Sequence, residues 1–293
     1  MGFTIKELES LTGVKAHTIR IWEQRYGFLK PSRTPTNIRT YNNEELKTLL
    51  TVALLNKYGY KISRIDGMDS LQREREVLAL QFEDARQEHL VNELLSCMVD
   101  MNARGFESLL NRHLAAYGIE DTILQIVFRF LEKTGILWQT GRINPAHEHV
   151  VSNIIRQKVI TAIEALPLPD ADTPLMLLLL PEGEFHELGL LYVNYLLRRK
   201  GVPVLYLGAN MPLKDALYAA RLKEPEAIYL HLTAVHHRNA FIRFLNGLTT
   251  GLPGTRILLS GYVAHDIPAT MPPNLVLLQS LSAVHSYISL LER

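Results

Sequence analysis

Five short apolar segments in the last third of the chain constrain its fold most strongly. They predict strands at Leu175–Leu180, Val202–Leu207, Ala227–Leu232, Arg256–Ser260 and Leu275–Gln279. The intervals between them have room for helices, and the chain closes with another helical pattern, SLSAVHSYISLLER. Continuous apolar strands that alternate with helices form a parallel sheet covered on both faces. The sequence therefore predicts a flavodoxin-like (Rossmann-like) parallel-sheet domain over residues 172–293.

The segment PEGEFHELG, residues 181–189, follows the first predicted strand directly. In open parallel sheets, ligands bind at the carboxyl ends of the strands, where the strand order reverses. His186 is a candidate metal ligand there, because Glu184 can accept a hydrogen bond from one ring nitrogen and fix the tautomer. Gly189 allows the backbone to approach a ligand closely. The spacing fits equally a loop-end histidine that is bonded only to Glu184, so both interpretations stay open.

Two enzyme classes are disfavoured at this position. No Gly-x-Gly-x-x-Gly follows the first strand, as a dinucleotide site requires. A serine nucleophile elbow is missing as well, and one histidine without a nucleophile beside it makes a poor hydrolase site.

The middle of the chain is helical and predicts a four-helix bundle over residues 80–167. The predicted helices are Phe82–Met101, Ala103–Ala116, Ile119–Trp138 and Pro145–Ala165. Trp138, Glu148 and His149 flank the turn between the last two helices. His147 and His149 are not four residues apart, so they do not form a helical zinc pair. Taken alone, this stretch is read as either packing and capping or part of a site.

The first 72 residues have the pattern of a winged helix-turn-helix. Thr4 and Glu7 have the spacing of a capping box, and Thr12-Gly13 ends that first helix. A second helix is predicted from about Lys15 to Arg25, and two short helices joined by a glycine turn are typical of DNA-binding modules. Its outward side chains are Lys15, His17, Thr18 and Arg20.

The segment LKPSRTPTNIRTY that follows predicts a β-hairpin wing, whose Arg33 and Arg39 can contact the DNA backbone or the minor groove. The charge distribution agrees with a polyanion partner. Residues 1–64 contain eleven Lys and Arg against five acidic residues, a net +6, whereas the remainder has twenty against twenty-five, a net −5. A basic block on an otherwise acidic chain favours double-stranded DNA, and a module for protein contacts is the alternative.

Two further features indicate the compartment. The longest apolar run is far shorter than the roughly 20 residues that cross a bilayer, so we expect no membrane partner. The one cysteine, Cys97, cannot form an intrachain disulfide. A cytoplasmic protein is expected.

The order TIKELESLTGVKAHTIRIWEQRYGFLKPSRTPTNIRTYNNEEL resembles the DNA-binding domain of the MerR family of transcription regulators, and RIWEQRYG resembles its W-E-x-R-Y subgroup. The resemblance covers about the first 70 residues. It implies a homo-oligomer, dimer or tetramer, that binds an inverted-repeat operator. The candidate DNA-binding set then also includes Arg25, Tyr26 and Tyr41.

EFHELG resembles the cobalamin-binding signature D-x-H-x-x-G, with Glu in first place. The resemblance implies that His186 is the lower ligand to cobalt and that the nucleotide tail of the cofactor enters the sheet domain. The family has Ser-x-Thr or Ser-x-Leu after its third strand and Gly-Gly after its fourth. Here these positions read HLT and SGY, which adds bulk where the tail lies. The implied cofactor-binding residues there are His231, Thr233, Ser260 and Gly261.

Trp138 and the pair Glu148-His149 form the pattern W-x9-E-H, which is similar to light-sensing MerR-type regulators of the CarH/LitR kind. The resemblance implies that these residues hold the upper face of adenosylcobalamin. Light-responsive relatives have His beside the Trp, where this chain has Gln139, so an altered or absent light response is expected.

Together the segments predict a multidomain α and α/β protein that acts as a transcription regulator, not as an enzyme. A regulator whose degenerate cobalamin domain binds no ligand, or a different one, is the main alternative. A cobalamin-carrying subunit of a methyltransferase or mutase is a third interpretation, and the DNA-binding segment disfavours it.

Overall fold

The computed structural model describes residues 2–139, 143–169, 174–233, 238–261 and 272–291, apart from the side chain of Gln139. The chain forms two compact units, residues 1–155 and 156–293. The winged helix-turn-helix and most of the helical bundle therefore share one unit. The finer division into domains at 1–72, 80–167 and 172–293 stays a prediction.

The N-terminal segment has the winged helix-turn-helix arrangement that its sequence predicts. Its elements are α1 (Ile5–Thr12), α2 (Ala16–Arg25), β1 (Ser32–Arg33), β2 (Arg39–Thr40), α3 (Asn43–Lys57), α4 (Ile62–Asp66) and α5 (Ser70–Leu78). Thr4 and Glu7 make the predicted capping box, and Gly13 ends α1 with a left-handed φ of 74°. The strands β1 and β2 pair antiparallel to form the wing.

The four predicted helices of the middle segment are confirmed. They are α6 (Glu83–Val99), α7 (Ala103–Asp121), α8 (Phe128–Gln139) and α9 (Pro145–Glu164), and a π-helical segment, Thr122–Val127, joins α7 to α8. The predicted break before Ile119 falls at Gly118, whose φ of 78° and ψ of 177° interrupt α7. The Gly118 carbonyl accepts hydrogen bonds from the Thr122 amide and, at 2.6 Å, from the Thr122 hydroxyl.

The last segment forms the predicted doubly wound sheet. Its strands are β3 (Met176–Pro181), β4 (Val204–Met211), β5 (Ala227–His231), β6 (Arg256–Ser260) and β7 (Leu275–Leu278), and its helices are α10 (Leu188–Arg199), α11 (Leu213–Lys223), α12 (Arg238–Gly251) and α13 (Leu281–Ser289). All neighbouring strands are parallel, in the order β4-β3-β5-β6-β7. The order reverses between β3 and β5, which is the expected ligand-binding edge.

The strand β3 is buried on both faces, as its continuous apolar sequence predicts. Leu177 and Leu179 pack in the core that includes residues of α11 and α12. Leu178 and Leu180 point to the opposite face and are also fully buried. None of the described helices has both the length and the apolar character that a membrane crossing requires.

We expect Gly118→Ala to destabilise the helical unit by about 1–3 kcal/mol, because its φ/ψ combination is open essentially to glycine alone. A Cβ at Gly118 would meet no atom within 4 Å, so the cost is purely conformational. Gly135 is the matched control. It lies inside α8, also has nothing within 4 Å of a Cβ, and has no positive φ. Gly135→Ala should leave stability unchanged or raise it by up to about 1 kcal/mol. Urea unfolding followed by circular dichroism measures both, and equal effects would contradict the expectation.

Candidate functional site

The exposed face of α2 carries the side chains that the sequence predicts for DNA recognition. Lys15, His17 and Arg20 are exposed and Thr18 is half-buried, whereas Ile19 and Trp22 are buried. Glu9 of α1 accepts a hydrogen bond from the Ala16 amide at 3.1 Å, which caps the first turn of α2. This contact helps to set the orientation of the recognition helix.

Glu23 connects the recognition helix to the wing by hydrogen bonds. Its carboxylate accepts from Arg39 Nε at 3.0 and 2.8 Å and from the Tyr41 hydroxyl at 3.2 Å. Tyr41 is fully buried, and burial together with the nearby Glu23 charge raises the pKa of its phenol. The prediction of direct DNA contact is therefore wrong for Tyr41, because its hydroxyl is used inside the protein. Arg39 is half-buried and held by the same carboxylate.

The remaining predicted DNA-binding residues lie on the surface or near it. Arg25 is exposed at the end of α2, and Tyr26 stacks on Phe28 with ring centroids 6.1 Å apart. Arg33 is exposed on the wing and donates to Asn37 Oδ1 at 2.7 Å. Their DNA contacts stay a prediction.

In the α/β unit, the end of β4 shapes the loop that leads from β3 to α10. The Gly183 amide donates to Asn210 Oδ1 at 2.9 Å, and the Asn210 amide donates to the Glu184 carbonyl at 3.0 Å. Gly183 and Asn210 both have positive φ values, 84° and 58°. Glycine and asparagine adopt this conformation most readily.

Glu184 positions His186 as the sequence predicts. The buried carboxylate accepts from His186 Nδ1 at 2.6 Å and from the amides of Phe185 and His186 at 2.9 and 2.8 Å. Burial raises the pKa of Glu184, but these hydrogen bonds lower it by more, so the net shift of the pKa is downward. An ionised carboxylate can only accept, so Nδ1 carries a proton. The ring is 57% exposed.

Glu187, a second carboxylate in the same loop, is held by contacts on two sides. Glu187 accepts from Arg156 Nε at 2.6 Å and from the Tyr206 hydroxyl at 3.0 Å. Burial and the Glu187 charge raise the pKa of Tyr206. Arg156 and Tyr206 were not predicted. They lie 31 residues before and 19 residues after Glu187, and nothing in either sequence context indicates the contact.

His231 fills the crevice between the ends of β3 and β5. Its Nδ1 lies 2.8 Å from Ser260 Oγ, and the Tyr229 hydroxyl donates to the same Oγ at 2.8 Å. A Cβ added to Gly189 would overlap His231 Cδ2 and Nε2. Burial lowers the pKa of His231 to about 4, so the ring is neutral at neutral pH. Ser260 is buried and His231 is packed, so this slot is filled and not open.

The residues after β5 and β6 complete this edge. Gly261 has a φ of 93°, and a Cβ there would overlap the backbone of Leu232, so glycine is required. Thr233 is exposed. Tyr262, the last residue of the SGY stretch, lies outside the described residues.

In the W-x9-E-H pattern, Trp138 lies at the end of α8, and Glu148 and His149 lie near the start of α9. Trp138 is 49% exposed. His149 Nδ1 lies 3.4 Å from Glu148 Oε2 in the first turn of α9. Residues 140–142 and the Gln139 side chain lie outside the described residues, so the expectation about the light response is not tested.

Two family matches cover separate parts of the chain. Residues 3–71 match the MerR HTH family regulatory protein, and residues 90–162 match the B12 binding domain. The HTH-type transcriptional repressor CarH of Myxococcus xanthus is 29% identical over 272 residues, which is 90% of each chain. The repressor CarA of the same organism is 26% identical and covers 91% of this chain and 88% of its own.

The chain carries a MerR-family DNA-binding domain and is similar to repressors of the CarH type over about nine-tenths of its length. Its family matches and relatives make it a DNA-binding regulator with a cobalamin-binding domain. The monomethylamine corrinoid protein of Methanosarcina barkeri shares the fold, with a TM-score of 0.55 and 14% identity. That match covers 69% of this chain and 97% of the other.

In the α/β unit of this regulator, His186 suits a cobalamin but the slot beside Gly189 does not. His186 presents an exposed imidazole with a fixed tautomer, which suits an axial ligand to cobalt. The slot at Gly189, however, is filled by His231, so the residues there do not fit a nucleotide tail. His231 and Ser260 are hydrogen-bonded to each other, and their contacts with a cofactor stay a prediction.

We expect Glu23→Gln to weaken DNA binding and to lower stability by about 1–3 kcal/mol, because half-buried Arg39 loses its carboxylate. Glu44→Gln is the matched control. It changes the net charge equally, but the Glu44 side chain is 79% exposed and its pair with Lys47 contributes under about 1 kcal/mol. Thermal melting and a gel-shift titration compare the two variants. Indistinguishable results would show that the Glu23 contact does not hold the wing.

Proposed function

We propose that this regulator binds an inverted-repeat operator as a homo-oligomer and that an adenosyl corrinoid, adenosylcobalamin in the first instance, controls this binding. The observation that carries the proposal is the Glu184–His186 pair at the switch point of the sheet. A buried carboxylate that fixes the tautomer of an exposed histidine is the usual support for a metal-binding imidazole.

On the DNA side, the exposed face of α2 is proposed to enter the major groove. Lys15, His17 and Arg20 can reach base edges and phosphates from there, with Thr18 beside them. Arg25, Tyr26 and Arg33 are proposed to contact the backbone, and Arg39 contributes positive charge at the base of the wing. Two copies of this module match the symmetry of an inverted repeat.

On the ligand side, each residue has a proposed role. His186 would hold the cobalt, with Glu184 keeping the proton on Nδ1. The resemblance assigns Trp138, Glu148 and His149 to the upper face. When bound, an adenosyl corrinoid would supply a cobalt centre that a nitrogen can ligate and a light-sensitive cobalt–carbon bond. Weaker DNA binding and a changed oligomeric state in the light are the proposed consequences.

A regulator that binds no corrinoid is the second candidate. The specific observation in its favour is the His231 ring, which fills the slot beside Gly189. In that case, the α/β domain serves only assembly.

We expect the full-length protein to bind adenosylcobalamin in the dark and His186→Ala to weaken this binding at least about tenfold, because the axial nitrogen is lost. His285→Ala is the matched control, since His285 lies on α13 and contacts Tyr192 instead of the crevice loop. Titration up to the solubility limit of the ligand, followed by absorbance of the protein fraction, measures both. Equal loss in the two variants would contradict ligation by His186, and no binding of any adenosyl corrinoid by the wild-type protein would favour the second candidate.

We expect Arg20→Ala to weaken operator binding by about 1–3 kcal/mol, because a base-edge contact is lost. Arg221→Ala removes the same charge from an exposed position on α11 and should leave the affinity nearly unchanged. Gel-shift titrations at one fixed salt concentration compare them. If both variants lose the same affinity, Arg20 acts only through net charge and α2 is not the reading helix.

A further inference from the structure

The place of His231 follows from the alternation of side chains along β5. Leu230 and Leu232 both pack in the core that includes residues of α11 and α12. Successive side chains of a strand point to opposite faces. His231 therefore points to the other face of the sheet, where α10 begins with Leu188 and Gly189.

The contact between His231 and Gly189 explains why residue 189 has no side chain. Gly189 does not have a positive φ, so its backbone alone would accept any residue. A Cβ there would overlap two atoms of the His231 ring. The space that a glycine leaves in the first turn of α10 is thus occupied by the imidazole.

The ring is held from its other side by a buried hydrogen-bond chain. Ser260 on β6 lies 2.8 Å from His231 Nδ1, and Tyr229 donates to the same Ser260 oxygen. Because burial keeps the imidazole neutral at neutral pH, the plug carries no charge into the crevice. The plug consists of His231 and its support by Tyr229 and Ser260.

His186 and the space beside Gly189 therefore differ, since the His186 ring is 57% exposed and the space is filled. His186 at the mouth is exposed, whereas the slot between Gly189 and the end of β5 contains the His231 ring. A flat ring system can contact His186 without entering the slot. A long group hanging below that ring system has to displace the plug.

We propose that the His231 plug makes this domain select corrinoids without an inserted nucleotide tail, so that a corrinoid of the cobinamide class binds through His186 better than complete cobalamin does. This inference rests on the proposed function, since it requires a corrinoid at His186. His231 then acts in ligand selection, because it occupies the space that the tail would need and does not contact the metal.

The test is a dark titration of the full-length protein with adenosylcobinamide and with adenosylcobalamin, followed by absorbance. We expect the wild-type protein to bind adenosylcobinamide at least about tenfold more tightly, because insertion of the tail breaks the Ser260 contact and the packing of the ring. His231→Ser opens the slot and should raise the affinity for adenosylcobalamin at least about tenfold, with that for adenosylcobinamide unchanged within about threefold.

His231→Gln is the matched control because it keeps a polar side chain long enough to fill the slot, and it should keep the wild-type ranking. A stability readout makes the plug testable without any ligand. Gly189→Ala should lower the melting temperature by several degrees in the wild-type background and by much less in the His231→Ser background, where no ring is overlapped.

Several outcomes would overturn the inference. Equal affinity of the wild-type protein for both corrinoids refutes the plug and leaves the proposed function standing. An unchanged adenosylcobalamin affinity in a folded His231→Ser variant refutes it as well. If neither corrinoid binds the wild-type protein or any His231 variant, ligation by His186 fails and the inference fails with it.

Discussion

The buried carboxylate of Glu184 is the constraint on which the candidate ligand site depends. An unpaired carboxylate at that depth would cost several kcal/mol. The chain offsets this cost with two backbone amides and one imidazole, all supplied by the next two residues. One buried charge therefore fixes the backbone of the loop and the orientation and tautomer of His186. Asn210 holds the same loop from β4, so the site is supported from two strands.

The DNA-binding segment uses the same physical device. Glu23 is largely buried, and Arg39 and Tyr41 donate hydrogen bonds to it from the C-terminal end of the wing. Through these contacts the carboxylate stabilises the wing against the recognition helix. Because Arg39 neutralises Glu23 within the protein, the exposed cations Arg20 and Arg25 are not needed to balance this carboxylate.

The sequence predicted elements with strong periodicity and missed contacts that depend on tertiary folding. All five strands, the four bundle helices and the capping box of Thr4 and Glu7 were predicted correctly, because apolar spacing and caps are local signals. The Glu184–His186 contact was predicted for the same reason, as the two residues are neighbours. The contacts of Glu187 with Arg156 and Tyr206 were not predicted, since these residues are far apart in sequence and meet only in the folded chain. Tyr41 was misjudged because sequence does not distinguish a buried tyrosine from an exposed one.

His231 shows how ligand selection can change while the fold does not. Its neighbours in sequence, Leu230 and Leu232, belong to the core and are constrained by packing. The residue between them points to the crevice, where Gly189 leaves space and Ser260 supplies a hydrogen-bond partner. The imidazole at this one position fills the interior of the crevice, and the ladder between β5 and β6 is intact. The specificity of the site is therefore set by what occupies the slot, whereas its chemistry is set by Glu184 and His186 at the mouth.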